Sequence, residues 1–302
     1  MNAADWLGLH SRGTADMALL GAPISRASIS PSEAWSTPPA FRRTLRRFST
    51  WDAEHEVDLS ELLLHDAGDV IGDRDDGDIV AAHGRIQAAT MRAGIRASSV
   101  VVVGGDNSLT RPVLHGLMSQ RPDEEWGLLT IDAHHDCRPL DQGPRNGTPV
   151  RELIEAGLPG DHVAQVGIQP FANERDQAEW ARSNGVHVYP RAEVASTGMA
   201  TTLTVAVTAL ARAGVTAIHV DLDLDACDRS VAPACPASLP GGITASELLT
   251  AARHLGRERR VHSADLTEVD ANADLNDITI RLMAAAFLAF CSGRLQRPPQ
   301  TR

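Results

Sequence analysis

The sequence predicts an α/β protein whose 302 residues form a single domain around one doubly wound, parallel sheet. Three observations predict it. Seven short apolar runs recur, at 18–22, 99–103, 127–131, 162–168, 187–189, 217–222 and 263–266. Segments of helical pattern lie between them, at 79–94, 111–119, 149–156, 173–183, 199–213, 245–256 and 278–292. Strands alternating with helices of about 10–15 residues argue for βαβ units. Finally, Val100-Val101-Val102-Val103 and Gly127-Leu128-Leu129-Thr130-Ile131 lack polar alternation, as strands covered on both faces by helices do. Two stretches read as loops: the Ser/Pro-rich segment 25–39 and the acidic segment 66–78, a solvated surface turn. Residues 1–98 carry no chemical signature of their own.

Composition narrows the function. Lys and Arg number 28 and Asp and Glu 39, a net charge of −11. No basic excess exists to neutralise phosphates, which argues against nucleic acid as a partner. No apolar run approaches the roughly 18 residues of a membrane span, so no membrane partner is expected. The first thirteen residues lack a basic region followed by an apolar one, so no export signal is expected. Cys137, Cys227, Cys235 and Cys291 show no Cys-x-x-Cys spacing. They read as reduced thiols of a cytoplasmic protein.

In a doubly wound sheet, ligands bind beyond the carboxyl ends of the strands. The apolar runs here end in chemistry. Gly104-Gly105-Asp106-Asn107-Ser108 follows one, Asp132-Ala133-His134-His135-Asp136 the next, Asp221-Leu222-Asp223-Leu224-Asp225 a third and Thr267-Glu268-Val269-Asp270 a fourth. Carboxylates gathered at one edge repel one another unless cations or protons neutralise them. In extended backbone, side chains two apart share a face. Asp132, His134 and Asp136 therefore point together, as do Asp223 and Asp225. Four carboxylates with one imidazole favour Mn²⁺ or a similar ion over a thiolate-type zinc site. They also balance two divalent ions, and such a pair, about 3.5–4 Å apart, ionises water at neutral pH. His135 has the wrong parity and reads as a packed, hydrogen-bonded residue. Asp221 lies deeper and reads as a hydrogen-bonding neighbour, Cys137 and Cys235 as packing residues.

These motifs resemble the ureohydrolase family of arginases, agmatinases, guanidino-acid hydrolases and formimidoylglutamases, over residues 100–270. GGDNSLT resembles the family's Gly-Gly-Asp-His-Ser, and DAHHD its Asp-Ala-His-x-Asp. The run from Asp223 to Gly242 resembles its Asp-x-Asp-x-x-Asp-Pro segment closing on Pro-Gly-Gly, and LTEVD its late Val-Glu-Val. The resemblance implies a three-layer α/β/α fold around a largely parallel sheet of about eight strands, a trimer or hexamer, two Mn²⁺ ions and hydrolysis of a C–N bond in a linear amidine. Carried over, Asp132 and Asp223 would bridge both ions, Asp136 would bind the first, and His134 and Asp225 the second. Glu268 would hold the planar cationic group of a small-molecule substrate, which presents paired N–H donors to a carboxylate. Asp136 would also relay a proton.

Departures from the family pattern refine this. Asn107 stands where most members have a metal-binding His, so it is expected as a weaker, neutral ligand. Asn146 stands where arginases and agmatinases carry a His that shuttles protons; an amide cannot do so, and Asn146 is expected to touch substrate instead. Asp228-Arg229 replaces the usual Asp-Pro. Arg138, Arg145 and Arg229 near the motifs suit a carboxylate-bearing substrate, because guanidinium binds carboxylate bidentately. The pattern looks closest to formimidoylglutamases of high-GC bacteria, which implies conversion of N-formimino-L-glutamate to L-glutamate and formamide in histidine breakdown. A urea-releasing hydrolase of agmatine or another guanidino compound is the alternative, and a non-catalytic homologue the third reading.

Overall fold

The structure is a computed structural model and describes residues 1–8 and 14–298; residues 9–13, part of the N-terminal stretch expected to lack an export signal, and 299–302 lie outside them. Ten strands form among the described residues: β1 (Met17–Ala22), β2 (Trp51–Asp52), β3 (Val57–Asp58), β4 (Leu64–Asp69), β5 (Val100–Gly104), β6 (Trp126–Ile131), β7 (Val163–Ile168), β8 (His187–Pro190), β9 (Ala217–Asp223) and β10 (Val261–Thr267). The helices are α1 (Ala3–Leu7), α2 (Thr37–Thr44), α3 (Ile79–Arg96), α4 (Thr110–Gln120), α5 (Pro149–Glu155), α6 (Arg175–Ser183), α7 (Arg191–Thr197), α8 (Met199–Arg212), α9 (Ala245–Arg257) and α10 (Ile278–Leu295). Eight strands build one sheet in the order β4-β1-β5-β10-β9-β6-β7-β8, and every pairing in it is parallel.

Two layers of helices cover this sheet, and strand alternation sorts the core between them. Leu19, Val101, Val103, Leu129 and Val220 pack on one face with Phe41 of α2, Leu248 of α9 and Phe287 of α10. Leu20, Val100, Val102 and Leu128 pack on the other with Ile86 of α3, Leu114 of α4 and Leu153 of α5. The three-layer α/β/α expectation holds.

The seven expected strands and seven expected helices all form, with ends shifted by a few residues. Two loops are corrected. The acidic segment 66–78 begins inside β4, an edge strand paired only with β1. Its sequence, LHDAGD, lacks an apolar run because only one side is paired and much of it is partly exposed. Asp66 and Asp69 are held by Arg42 of α2. The Ser/Pro-rich segment 25–39 gives way to helix at Thr37, where Pro38 occupies the first turn; its fixed φ suits a helix start. Helix α10 spans 18 residues with a mean hydropathy of 1.5, long and apolar enough by composition to cross a membrane, contrary to the sequence reading. Two thirds of it is buried against the sheet layer. Its apolar surface serves the core.

Register explains where the chemistry lands. Ile131 pairs with Leu222, Leu222 with Leu266, and Leu266 with Val103. The four central strands β5, β10, β9 and β6 therefore end at one level. The turns carrying Asp106–Asn107, Glu268, Asp223–Asp225 and Asp132–Asp136 leave the same edge side by side.

Phe287 is fully buried, edge-on to Phe41 at 5.3 Å and 84°, with Trp6 6.3 Å away. Phe287→Ala is expected to cost about 3–5 kcal/mol of stability in urea unfolding, since α10 cannot collapse into the cavity left.

Candidate metal centre

Each acidic turn folds on itself before it meets its neighbours. Asp132 Oδ1 accepts the His134 backbone N–H at 2.7 Å, and Asp223 Oδ1 accepts that of Asp225 at 2.7 Å. These bonds use one lone pair of each carboxylate locally and leave the others facing the edge. Asp136 and Glu268 hold left-handed backbone, φ 51° and 66°. Non-glycine residues there carry strain, which persists when the surroundings over-determine it, typically at functional sites. Glu268 is held by its N–H to Gly105 O at 2.9 Å. Gly105 must be glycine, since a Cβ there would sit 1.7 Å from Ile24 O.

The turns converge. His134 Nδ1 lies 3.0 Å from Asp225 Oδ2 and 3.5 Å from Asp132 Oδ1. One donor atom from each of Asp132, His134 and Asp225 falls within 4.8 Å of the other two. Asp136 and Asp223 line the same cavity as His134 and Asp225. Every carboxylate in this group is buried, at 1–6% exposure.

Electrostatics follow from that burial. Asp132 rises to about 6, through burial and then the Asp225 charge. Burial and neighbouring carboxylates push Asp136 and Asp223 well above the usual range. Burial, then Asp106 and Asp225, raises Glu268 to about 8. Burial alone would lower His134, yet Asp225 and Asp132 drive it to about 12. Asp225 goes down despite its burial, because His134 pairs with it. One imidazole cannot neutralise this many carboxylates. Asp225 Oδ1 is buried with no hydrogen-bond partner. An orphaned carboxylate oxygen beside an oxygen-rich, single-imidazole donor set fits a hard-to-borderline divalent cation. Asp132, His134, Asp136, Asp223 and Asp225 are the residues that would hold it.

Asn107 takes a different place from the ligand expected. Its amide oxygen accepts the Thr110 and Thr267 hydroxyls, each at 3.0 Å. Its Nδ2 donates to Asp136 Oδ2 at 2.8 Å and Asp221 Oδ2 at 3.2 Å. A ligand must offer a lone pair, and this side chain turns donors toward the cluster. Asn107 steers Asp136 from behind. Asp221 is the hydrogen-bonding neighbour expected, and His135 is packed as expected, its Nδ1 2.7 Å from Gln165 Oε1. All four cysteines are free and buried, with Cys137 Sγ donating to His135 O.

The cluster forms the floor of a cavity of about 190 Å³, below the roughly 300–1,000 Å³ typical of drug-sized ligands. Arg138, Asn146, Gly147 and Gln177 line its walls, with Ile29 and Ser30. Arg138 is exposed, and its guanidinium has no acidic partner among the described residues. Arg145 lines an adjoining cavity of about 280 Å³ that shares Ile29 and Arg138. Arg229 is not at the site: its Nη1 clamps its own loop through Cys235 O at 2.8 Å and Pro236 O at 3.2 Å. Glu268 stands one layer back. Its Oε1 accepts the Asn107 N–H at 2.7 Å and Asn146 Nδ2 at 3.0 Å. No hydrogen bond among the described residues occupies Oε2. Ile29 and Ser30 escaped sequence reading. Their signal was position: they lie in the loop beyond the first apolar run, as the acidic turns lie beyond the others.

A parallel α/β/α sheet with a carboxylate and imidazole centre at its carboxyl edge defines a metal-dependent hydrolase. The chain belongs to the arginase family, whose sequence model matches residues 15–292. It is 38% identical over 280 residues to a formimidoylglutamase of Halalkalibacterium halodurans, covering 91% of this chain and 86% of that protein. It is 32% identical over 300 residues to the formimidoylglutamase of Bacillus subtilis, covering 98% and 91%. The crystal structure of formimidoylglutamase from Bacillus subtilis superposes with a TM-score of 0.90 at 29% identity, over 99% of this chain and 93% of that one. Trypanosoma cruzi formiminoglutamase, solved with Mn²⁺, gives 0.88 at 25%, over 97% and 99%.

Asp132 at about 6, Glu268 at about 8 and His134 at about 12 all lie above their unfolded values, near 4 for carboxyls and 6.5 for His. The folded state then binds more protons than the unfolded one, so stability falls as pH rises. Burial lowers His83 and His262 to about 4, which opposes this trend below about pH 6.5. Above it, metal-free protein is expected to lose thermal stability up to about pH 8, with saturating Mn²⁺ removing most of the slope; a flat metal-free profile there contradicts this. Asp223→Ala removes one like charge from the cluster. Its metal-free melting temperature should equal or exceed wild type, while the rise on adding Mn²⁺ should disappear.

Proposed function

We propose that the chain hydrolyses N-formimino-L-glutamate to L-glutamate and formamide. One observation carries this reading: a single small cavity joins a buried acidic floor to an unpaired arginine at its wall. The floor suits the metal ions, Glu268 beside it an amidinium head, and the arginine a carboxylate tail. The relatives named formimidoylglutamase support it, covering nine tenths or more of this chain.

Asp132, His134, Asp136, Asp223 and Asp225 would hold two Mn²⁺ ions, as in the Trypanosoma cruzi structure solved with that metal. When bound, such ions neutralise the buried carboxylates and make water nucleophilic at neutral pH. The rest is the work of this chain's side chains. Glu268 Oε2 accepts from the formimino N–H groups and aims the carbon at the water. Asp136, on the cavity floor beside that water, takes the proton released as the water oxygen bonds to the carbon. The same proton passes to the glutamate nitrogen as its bond to the formimino carbon breaks. Asn107 holds Asp136 in line through its 2.8 Å bond. Arg138 binds a substrate carboxylate, and Arg145 lines the adjoining cavity that shares Arg138. Agmatine carries positive charge at both ends, so Arg138 opposes it. The buried, free thiols suit a reducing compartment such as the cytoplasm.

Manganese-loaded protein offered formiminoglutamate and agmatine in parallel should release formamide from the first and no urea from the second. Urea from agmatine would overturn the assignment. Arg138→Ala should raise KM for formiminoglutamate by about 10–100-fold, the worth of a charged hydrogen-bond pair, with kcat changed far less.

A further inference from the structure

Asn146 lines the cavity and is bonded on one side to Glu268, behind the acidic floor, and on the other to the wall at Ile29. Its Nδ2 donates to Glu268 Oε1 at 3.0 Å, and its Oδ1 accepts the Ile29 N–H at 3.0 Å. Its own N–H reaches Ala27 O at 3.1 Å. The next residue continues the bracket: Gly147 O accepts the Arg138 N–H at 3.0 Å. Side-chain packing closes it. A Cβ on Gly147 would lie 2.9 Å from Arg138 Cδ and 3.1 Å from Ile29 Cδ1, so the Arg138 stem and Ile29 both rest on bare glycine.

The rim that Asn146 grips is itself pinned by carboxylates from three other loops. Asp73 accepts the N–H groups of Ser25 and Arg26 at 3.0 and 2.8 Å, Asp106 that of Ala27 at 3.2 Å, and Asp270 that of Glu33 at 2.8 Å. The rim is thus a fixed wall, and Asn146 ties it to the carboxylate behind the acidic floor.

We infer that Asn146 is a positioning residue that fixes the spacing between Glu268, at the amidinium end, and the Ile29–Arg138 wall, at the carboxylate end. The inference rests on the proposed substrate. An amide suits the task because it donates at one end and accepts at the other. Aspartate keeps the acceptor toward Ile29 but cannot donate, and sets a second carboxylate against Glu268. Alanine at 147 leaves the Asn146 side chain whole and pushes the wall outward.

The test compares these two variants on two amidines, N-formimino-L-glutamate and N-propylformamidine, which lacks the tail carboxylates. Manganese-loaded Asn146→Asp should lower kcat on both, and about tenfold further on formiminoglutamate, which must engage both ends at once, than on propylformamidine, the order of a lost charged hydrogen bond. Gly147→Ala should instead raise KM for formiminoglutamate about tenfold more than for propylformamidine. The inference is overturned if Asn146→Asp shifts the two substrates by one common factor, with or without a drop in melting temperature, or if neither variant moves the split. Wild-type protein that hydrolyses propylformamidine but not formiminoglutamate would defeat the substrate reading and remove the inference with it. Loss confined to the variants separates the two failures.

Discussion

Carboxylates do not gather in a protein interior without compensation. Here Asp132, Asp136, Asp223, Asp225 and Glu268 are each at most 6% exposed, with one histidine among them. Like charges that close in a low-dielectric site cost several kcal/mol if they stay ionised and unpaired. The chain brings them together all the same, because parallel strands in a shared register end at one edge. Protons relieve the strain in the metal-free protein, and cations relieve it better. The raised carboxyls, the His134–Asp225 pair and the unpartnered Asp225 oxygen are three signs of one unmet demand for positive charge.

The remaining polar residues serve that centre by holding it still. Asn107 commits its oxygen to two threonines and its nitrogen to two aspartates, so Asp136 keeps one orientation. Behind it, His219 Nε2 lies 2.9 Å from Asp265 Oδ2 on neighbouring strands, a buried hydrogen-bonded pair. Neutral amides are well suited to such a place. They bond to carboxylates from either side without adding charge, and they do not titrate as the cluster gains or loses protons.

Much of this was legible in the sequence, for physical reasons. Strands buried on both faces need unbroken apolar runs, and Val100–Val103 could be little else. The two-apart spacing of Asp132, His134 and Asp136 pointed to one cluster, but turns and not extended backbone bring them together: β6 ends at Ile131 and Asp136 holds φ 51°. Where reading failed, the deciding contact lay across the chain. Strand β4 is polar because it is an edge held by Arg42, which no local pattern announces. The orientation of Asn107 depends on Thr110 and Thr267, the second of them 160 residues away. Arg229 looked like a substrate residue by proximity in sequence, yet its partners are the carbonyls of its own loop. The rim at Ile29 and Ser30 was hidden in a Ser/Pro-rich loop that carries no reactive side chain and works through its backbone N–H groups.

The claim that divalent cations complete this centre is tested most directly by counting them. Metal-free protein would be titrated with Mn²⁺ in a calorimeter at two buffer ionisation enthalpies, with bound metal measured per chain by elemental analysis. The expected result is two ions per chain and a net release of protons, since the raised carboxyls and the protonated His134 must give theirs up. Fewer than one tightly held ion per chain, or binding that releases no protons, would contradict it.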